Sequence, residues 1–394
     1  FGLKDSSAAL ALAVQNLTSL GTSRNDQGMM DLGGAIFDLS GGVYSIHEPL
    51  LFPEGYANFN IQRGTLKASA QFVGGEDTYM LQVGNVGACN ATSGGSNNKD
   101  CNSDVGIQQL SLDGQGYAWG ALLVGNTMDA NIGPAIMVTG FTGVGISLGG
   151  TGAGYIHECW LGQYPAGDKT PRSNATATAI LLAGAQHDCD VNNVIIFSGR
   201  VGVNSTNGAN RIQGVHTWNL KGQDGGTGIV LHRGSGRVQQ CYLDYAPLVI
   251  RVCTPGGVAL VEGNFFLGSA NVVLVPTLAY TVLHGLVMTG NVFNTWNSAN
   301  KTFVIDESGG RFSAVKDTVI ENNEVAAPVS MAGKLSSRAT MTKTSGNADS
   351  WCFNFSSALL FDDSVGINPA SVVCNVVDKK FTTSHVSVTG NQVT

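Results

Sequence analysis

Apolar positions along this chain come in short β-branched runs separated by Gly, Asn and Ser. Ala35–Leu39, Val43–Ile46, Phe59–Gln62 and Gly64–Ala68 form a first group, and Val194–Phe197 and Val272–Val275 have the same strand length. Several runs share one grammar: Val-Glu-Gly-Asn264-Phe, Val-Met-Thr-Gly-Asn291-Val-Phe, Val-Ile-Glu-Asn-Asn323-Glu-Val and Val-Ser-Val-Thr-Gly-Asn391-Gln-Val. The first three copies, at 264, 291 and 323, lie 27 and 32 residues apart. That interval is too long for a hairpin meander and fits one coil of a parallel β-solenoid. Asn tolerates the left-handed conformation at such a corner, and its amide can bond to the Asn one coil above. The predicted class is all-β: a β-solenoid with a long ridged face suited to extended polymers.

The ends depart from this pattern. Asp5, Ser6 and Ser7 offer N-cap oxygens before Ala-Ala-Leu-Ala-Leu-Ala-Val, which predicts an amphipathic helix over Ser6–Leu20 that Gly21 stops. Such a helix would plug the first coil and cover its unpaired edge. Gly87–Ser103 reads as an insertion loop, and Gly143–Gly154 as tight solenoid turns; the latter lacks the Lys-Ser/Thr of a phosphate loop. After residue 330 the coil spacing is lost and Ser and Thr rise. The expected organisation is a β-helix with its helical cap over 1–330 and a small β-rich cap over 331–394.

Composition narrows the class. Hydrophobic residues make up 43% of the 394, which excludes disorder, and a net charge of −7 without a basic block speaks against nucleic acid. No apolar run reaches membrane-spanning length. The cysteines are Cys89, Cys101, Cys159, Cys189, Cys241, Cys253, Cys352 and Cys374. Their even count and the absence of Cys-x-x-Cys suggest disulfides in an oxidising compartment, and consecutive pairing would close short loops. Cys159 and Cys189 are about one coil apart, so stacking is expected to bring them together. Sequons at Asn16, Asn90, Asn174, Asn204, Asn300 and Asn354 predict that most of these asparagines are exposed and that several carry N-linked glycans. The chain opens at Phe1, as a processed secreted protein would. The predicted location is secreted: extracellular or cell wall.

Asp5-Ser-Ser-Ala-Ala-Leu-Ala-Leu-Ala-Val and Gly42-Val-Tyr-Ser-Ile-His-Glu-Pro-Leu-Leu-Phe-Pro-Glu-Gly resemble the capping helix and first rungs of the pectin-lyase-like superfamily. Gly64-Thr-Leu-Lys-Ala-Ser, Trp160-Leu-Gly-Gln163, Val194-Ile-Ile-Phe-Ser198, Gly214-Val-His-Thr-Trp-Asn219, Cys241-Tyr-Leu-Asp-Tyr245 and Phe265-Phe-Leu-Gly-Ser-Ala-Asn271 resemble the plant quartet-type polygalacturonase family, in that family's order over roughly 30–330. The resemblance implies a right-handed parallel β-helix and a cell-wall role. Characterised polygalacturonases carry Asn-Thr-Asp, Asp-Asp, Gly-His-Gly and Arg-Ile-Lys. This chain has only Asp362-Asp363, outside the predicted helix, and His216 in Gly-Val-His-Thr as the nearest analogue of the histidine motif.

Glycoside hydrolysis needs one protonated and one ionised carboxyl group across the scissile bond. Asp188 and Asp190, one alternation apart in His187-Asp-Cys-Asp, would share a face if that segment is extended; otherwise they form a solvated turn. Asp244 lies between Tyr242 and Tyr245, which with Trp218 would stack on sugar rings or build an aromatic ladder. His216 is a candidate acid/base or a structural residue, and Glu158 and Glu262 are candidate partner carboxylates. No spacing matches a metal site, and no cofactor is expected. These features leave three functions open: a secreted enzyme hydrolysing a polysaccharide, a non-catalytic β-helix that binds one, and a structural glycoprotein assembling into a homo-oligomer or fibre.

Overall fold

A computed structural model gives the architecture. It describes residues 4–85, 101–150, 153–164, 176–184, 187–218, 226–253, 256–294, 305–306, 309–326, 336–337, 339–342, 352–356, 359–361, 387–389 and 392–394. The chain winds as a right-handed parallel β-helix. One coil shows the plan: Thr227–Leu231 on face C, Gly236–Gln239 on face A, a corner at Gln240, Tyr242–Asp244 on face B, then Leu248–Val252 back on face C. Among the described residues, faces A and B form one 21-stranded sheet that bends at the corner, and face C is a 10-stranded sheet.

The corner explains the sequence recurrence. Each coil turns from face A to face B through one left-handed residue: Ala135, Glu158, Asn193, Gly214, Gln240, Gly263, Gly290 and Asn322 all have φ between 51° and 65°. In the first coils the same kink sits inside long strands. Phe59–Gln62 and Gly64–Ala68, predicted as two strands, are the single strand Tyr56–Ala68 with Arg63 at φ 58°. The recurring Asn264, Asn291 and Asn323 are not the left-handed residues; each follows one and points inward. Asn264 Nδ2 donates to Asn291 Oδ1 at 2.9 Å, and Asn291 Nδ2 to Asn323 Oδ1 at 2.8 Å. The predicted amide stacking is present, one residue beyond the predicted kink. The fourth copy belongs elsewhere: Val388–Thr389 and Gln392–Val393 pair antiparallel, so that stretch is a hairpin, and Asn391 lies outside the described residues.

Alternation places one residue in two inside. On face C, Leu122, Ile146, Ile180, Val203, Ile229, Leu248 and Val272 stack in register as a continuous buried column. From face B, Phe266 and Phe293 stack at 4.5 Å and 11°. Truncating such a side chain to Ala costs about 3–5 kcal/mol.

The helix spans Ser7–Thr18 and buries Leu10, Val14 and Leu17 against the first coil. Ser6 is the N-cap residue but makes no side-chain cap bond; Asp5 before it accepts at Oδ1 from the Ser7 amide at 3.0 Å and the Ser7 hydroxyl at 2.6 Å, which holds its carboxyl below the usual range. The helix ends before Gly21, whose role is space, since a Cβ there would stand 2.2 Å from Met30 Cγ. Gly143–Gly154 is likewise strand more than turn. Val144–Gly150 runs on face C and Ala153–His157 on face A, and a Cβ at Gly145 would meet the Ala179 carbonyl at 2.5 Å. The stacked strands continue to Glu324–Val325, and Phe353–Asn354 joins the C-terminal hairpin in a three-stranded antiparallel sheet.

Two of the expected disulfides are not formed. Cys159, Cys241 and Cys253 carry free thiols. Trp160 pairs with Ile195, so Cys159 stacks over Val194, at the far end of the strand Asp190–Asn192 from Cys189. A separation near one coil length therefore did not mean the same register. Cys241 is buried after the Gln240 corner, whereas Cys253 follows the face C strand Leu248–Val252. Burial pushes the Cys159 and Cys241 thiols up to about 12. Cys101 is buried beside Met29, Cys352 is exposed, and Cys89 and Cys374 lie outside the described residues. Among the sequons, Asn16 and Asn354 are exposed, and Asn204 is half-buried on face C with Oδ1 enclosed. Asn90, Asn174 and Asn300 lie outside the described residues. No helix among the described residues is long and apolar enough to cross a membrane.

Candidate functional site

The outer side of face B carries an aromatic strip. Strand alternation turns His216 and Trp218, Tyr242 and Asp244, and Phe265 and Leu267 outward on three successive coils, with Thr217, Leu243 and Phe266 inside. The His216 ring meets Tyr242 edge-on at 4.6 Å, and Tyr242 stacks on Phe265 at 5.0 Å and 10°. Two coils below His216, the exposed Trp160 meets Phe197 at 5.9 Å. Phe197 fits there because a bulge offsets it and because Gly162 lacks a side chain; a Cβ would stand 2.1 Å from the ring. Tyr245 is left-handed at φ 56°, and its ring occupies the space above Gly268. Trp160 and Trp218 are exposed, Tyr242 and Phe265 cover one another's faces, and Phe197 is buried beneath Trp160, so the strip is an apolar ridge along the solenoid axis.

Asp244 sits within the strip, 8% exposed, in register with Trp218 below and Leu267 above. Its Oδ1 is enclosed without a hydrogen-bond partner, as is His216 Nε2 on the coil below. Burial among these side chains pushes the Asp244 carboxyl up to about 6. Burial also pushes His216 below its ordinary value, since desolvation disfavours imidazolium. The opposed shifts let a protonated carboxylic acid and a neutral imidazole coexist on the acid side of neutrality. That is the combination of proton donor and acceptor that acid–base chemistry requires.

The other predicted residues stand apart from this pair. Asp188 is left-handed at φ 59°, so the segment is not extended and Asp188 does not share a face with Asp190; it turns to solvent and holds His187 Nδ1 at 2.6 Å. Asp190 is on face A, where it accepts from Arg211. Glu158 is itself a left-handed corner residue, with His157 at 3.8 Å. Glu262 ends a face A strand and accepts from Gln239 at 3.0 Å. The corner separates all four from Asp244 and His216, while Trp218, Tyr242 and Tyr245 flank Asp244. Sequence reasoning gave Trp160, Phe197 and Phe265 no role of their own; the signal was the register of the coils, which sets Phe265 outward and Phe266 inward. Among the described residues no group of three His, Cys, Asp or Glu could hold a metal.

No family model matches the chain. Among solved structures, the mannuronan C-5 epimerase AlgE6 A-module of Azotobacter vinelandii is similar at 14% identity and a TM-score of 0.48, over 83% of this chain and 96% of that one. The tailspike protein of E. coli bacteriophage HK620 is similar at 16% identity and a TM-score of 0.46, over 82% of this chain and 53% of that one. Polygalacturonase QRT3 of Arabidopsis thaliana is 31% identical over 382 residues, 90% of this chain and 72% of the relative. Related at that level over most of both lengths, this chain belongs to the plant quartet-type polygalacturonase family.

Proposed function

We propose that this protein is secreted to the cell wall, holds an extended polysaccharide along face B and hydrolyses it through Asp244 and His216. The observation that carries the reading is Asp244, a carboxyl group raised to about 6 within an outward aromatic strip, with an imidazole lowered by burial on the coil below, in register with Tyr242. The exposed Trp218 offers a ring on which a pyranose packs, and the outward edges of the stacked Tyr242 and Phe265 extend that apolar strip. Protonated Asp244 donates to the glycosidic oxygen as the bond from the anomeric carbon breaks. Neutral His216 takes a proton from the water that attacks that carbon; the imidazolium then releases that proton to solvent, and solvent returns one to Asp244. Family membership supports a galacturonan as the glycan, and the sequons support the secretory route.

The test is reducing-end release by the purified protein from polygalacturonan and from a panel of neutral wall polysaccharides. Activity should fall by orders of magnitude in Asp244→Asn with the fold retained. A second reading, binding without cleavage, is favoured by one observation: among the described residues, no second carboxylate stands on face B beside Asp244. Retardation of the protein in polysaccharide gels without release of ends from any substrate would select it. Neither binding nor release across the panel would sink both readings.

A further inference from the structure

At the capped end of the solenoid, apolar surface stands exposed among the described residues. Leu20 beyond the helix is 59% exposed, and Ile36 on the first coil is 53% exposed. Between the helix and that coil runs a groove of about 410 Å³, lined by Asn16, Leu17, Leu20, Ile36 and Tyr44 among others. Asn16 is exposed in the last turn of the helix and heads the sequon Asn16-Leu17-Thr18. One residue is thus both the attachment point for a sugar and part of the wall of an apolar groove. Tyr44, whose hydroxyl donates to the Leu39 carbonyl at 3.1 Å, presents a fixed ring there.

We infer that the groove is the seat of the first N-acetylglucosamine of an N-linked glycan on Asn16, which completes the cap of the β-helix. The sugar's apolar face and acetyl methyl would pack on Leu20, Ile36 and Tyr44, and its tether supplies a high local concentration without any affinity of its own. A sugar packed on the helix and the first described coil would oppose fraying of that coil. The inference rests on the secretory reading above.

The experiment uses the full chain made in a eukaryotic secretory host. Peptide mass spectrometry should find glycan at Asn16. Trimming to a single N-acetylglucosamine with an endoglycosidase should leave the melting temperature unchanged, whereas Asn16→Gln should lower it by about 2–4 °C. Asn354→Gln, which removes an exposed sequon outside the groove, should leave it unchanged. Thr18→Ser keeps the sequon and should keep both glycan and stability. Glycan at Asn354 but not Asn16 overturns the inference and leaves secretion standing. No glycan at any sequon removes both. Occupied Asn16 whose loss leaves melting unchanged, or a protein that dimerises once the glycan is absent without losing stability, also overturns it.

Discussion

Asn264 and Asn291 lie one coil apart and share one hydrogen-bonding column: Asn291 Oδ1 accepts both the backbone amide of Asn264 at 3.0 Å and its Nδ2 at 2.9 Å. Asn291 Nδ2 in turn reaches the Val261 carbonyl at 3.0 Å and Asn323 Oδ1 at 2.8 Å. Its exposure is 0%, so water cannot replace these bonds. The column satisfies backbone groups that the corner strips of their ladder partners.

Asn291→Leu keeps the volume and removes every one of those partners. Each buried group left unpaired costs about 1–3 kcal/mol. The expected outcome is a loss of several kcal/mol, read as a lower urea midpoint. A midpoint within error of the parent would show that the column is dispensable.

Gly268 and Tyr245 are coupled across one coil. A Cβ on Gly268 would stand 2.1 Å from Tyr245 Cε1, and Gly268 itself is left-handed at φ 67°. Gly268→Ala should therefore destabilise by about 1–3 kcal/mol and push the Tyr245 ring away from Asp244. Glycan affinity should fall about tenfold, matching Tyr245→Ala. Affinity electrophoresis of both variants checks this, and unchanged mobility in Gly268→Ala would remove Tyr245 from the binding strip.

The thiols give a chemical check on the fold. Cys159 and Cys241 are buried, and each donates to backbone carbonyls, Cys241 to Gln239 at 3.4 Å and Cys159 to His157 at 3.1 Å. Both should resist a thiol reagent in the native protein at neutral pH, and both should react once guanidinium unfolds it. Peptide mapping after alkylation should find Cys159, Cys241 and Cys253 modified. A Cys241–Cys253 disulfide peptide would contradict the register of this coil.

The sequence made the solenoid legible because its constraint repeats: every coil must turn through one left-handed residue and bury the next, so Gly-Asn pairs recur at coil length. It placed the kink one residue late because Asn suits both the left-handed position and the inward column; Asn322 takes the first and Asn323 the second. The placement of the candidate residues was legible in part. Asp244, His216, Trp218, Tyr242 and Tyr245 come from neighbouring strands of one face, and proximity in sequence sufficed. That Asp190 lies on face A, apart from Asp244, was not legible, because only the corner decides which face a strand belongs to. The Cys159–Cys189 pairing failed on the same ground, since coil lengths vary and separation alone does not set register.

Asp244 links stability and activity to pH. Its folded value of about 6 is raised above the ordinary carboxylate value near 3.8. The folded state thus holds the proton more tightly than the unfolded chain. The stabilisation is fully present below about pH 4, is lost as pH rises through about 6, and stays flat above that. The shift corresponds to at most about 3 kcal/mol. Urea midpoints of the parent should fall between pH 4 and pH 7 by more than those of Asp244→Asn, and the difference isolates this carboxyl. The same proton is the one the proposed hydrolysis uses, so activity should decline above about pH 6. It should also decline at low pH, once His216, lowered from its ordinary value, becomes charged. A bell-shaped profile with its alkaline limb near 6 is expected, with that limb abolished in Asp244→Asn together with most of the rate. Parallel stability curves for the two proteins would show that Asp244 titrates as an ordinary surface carboxylate and does not serve as the acid.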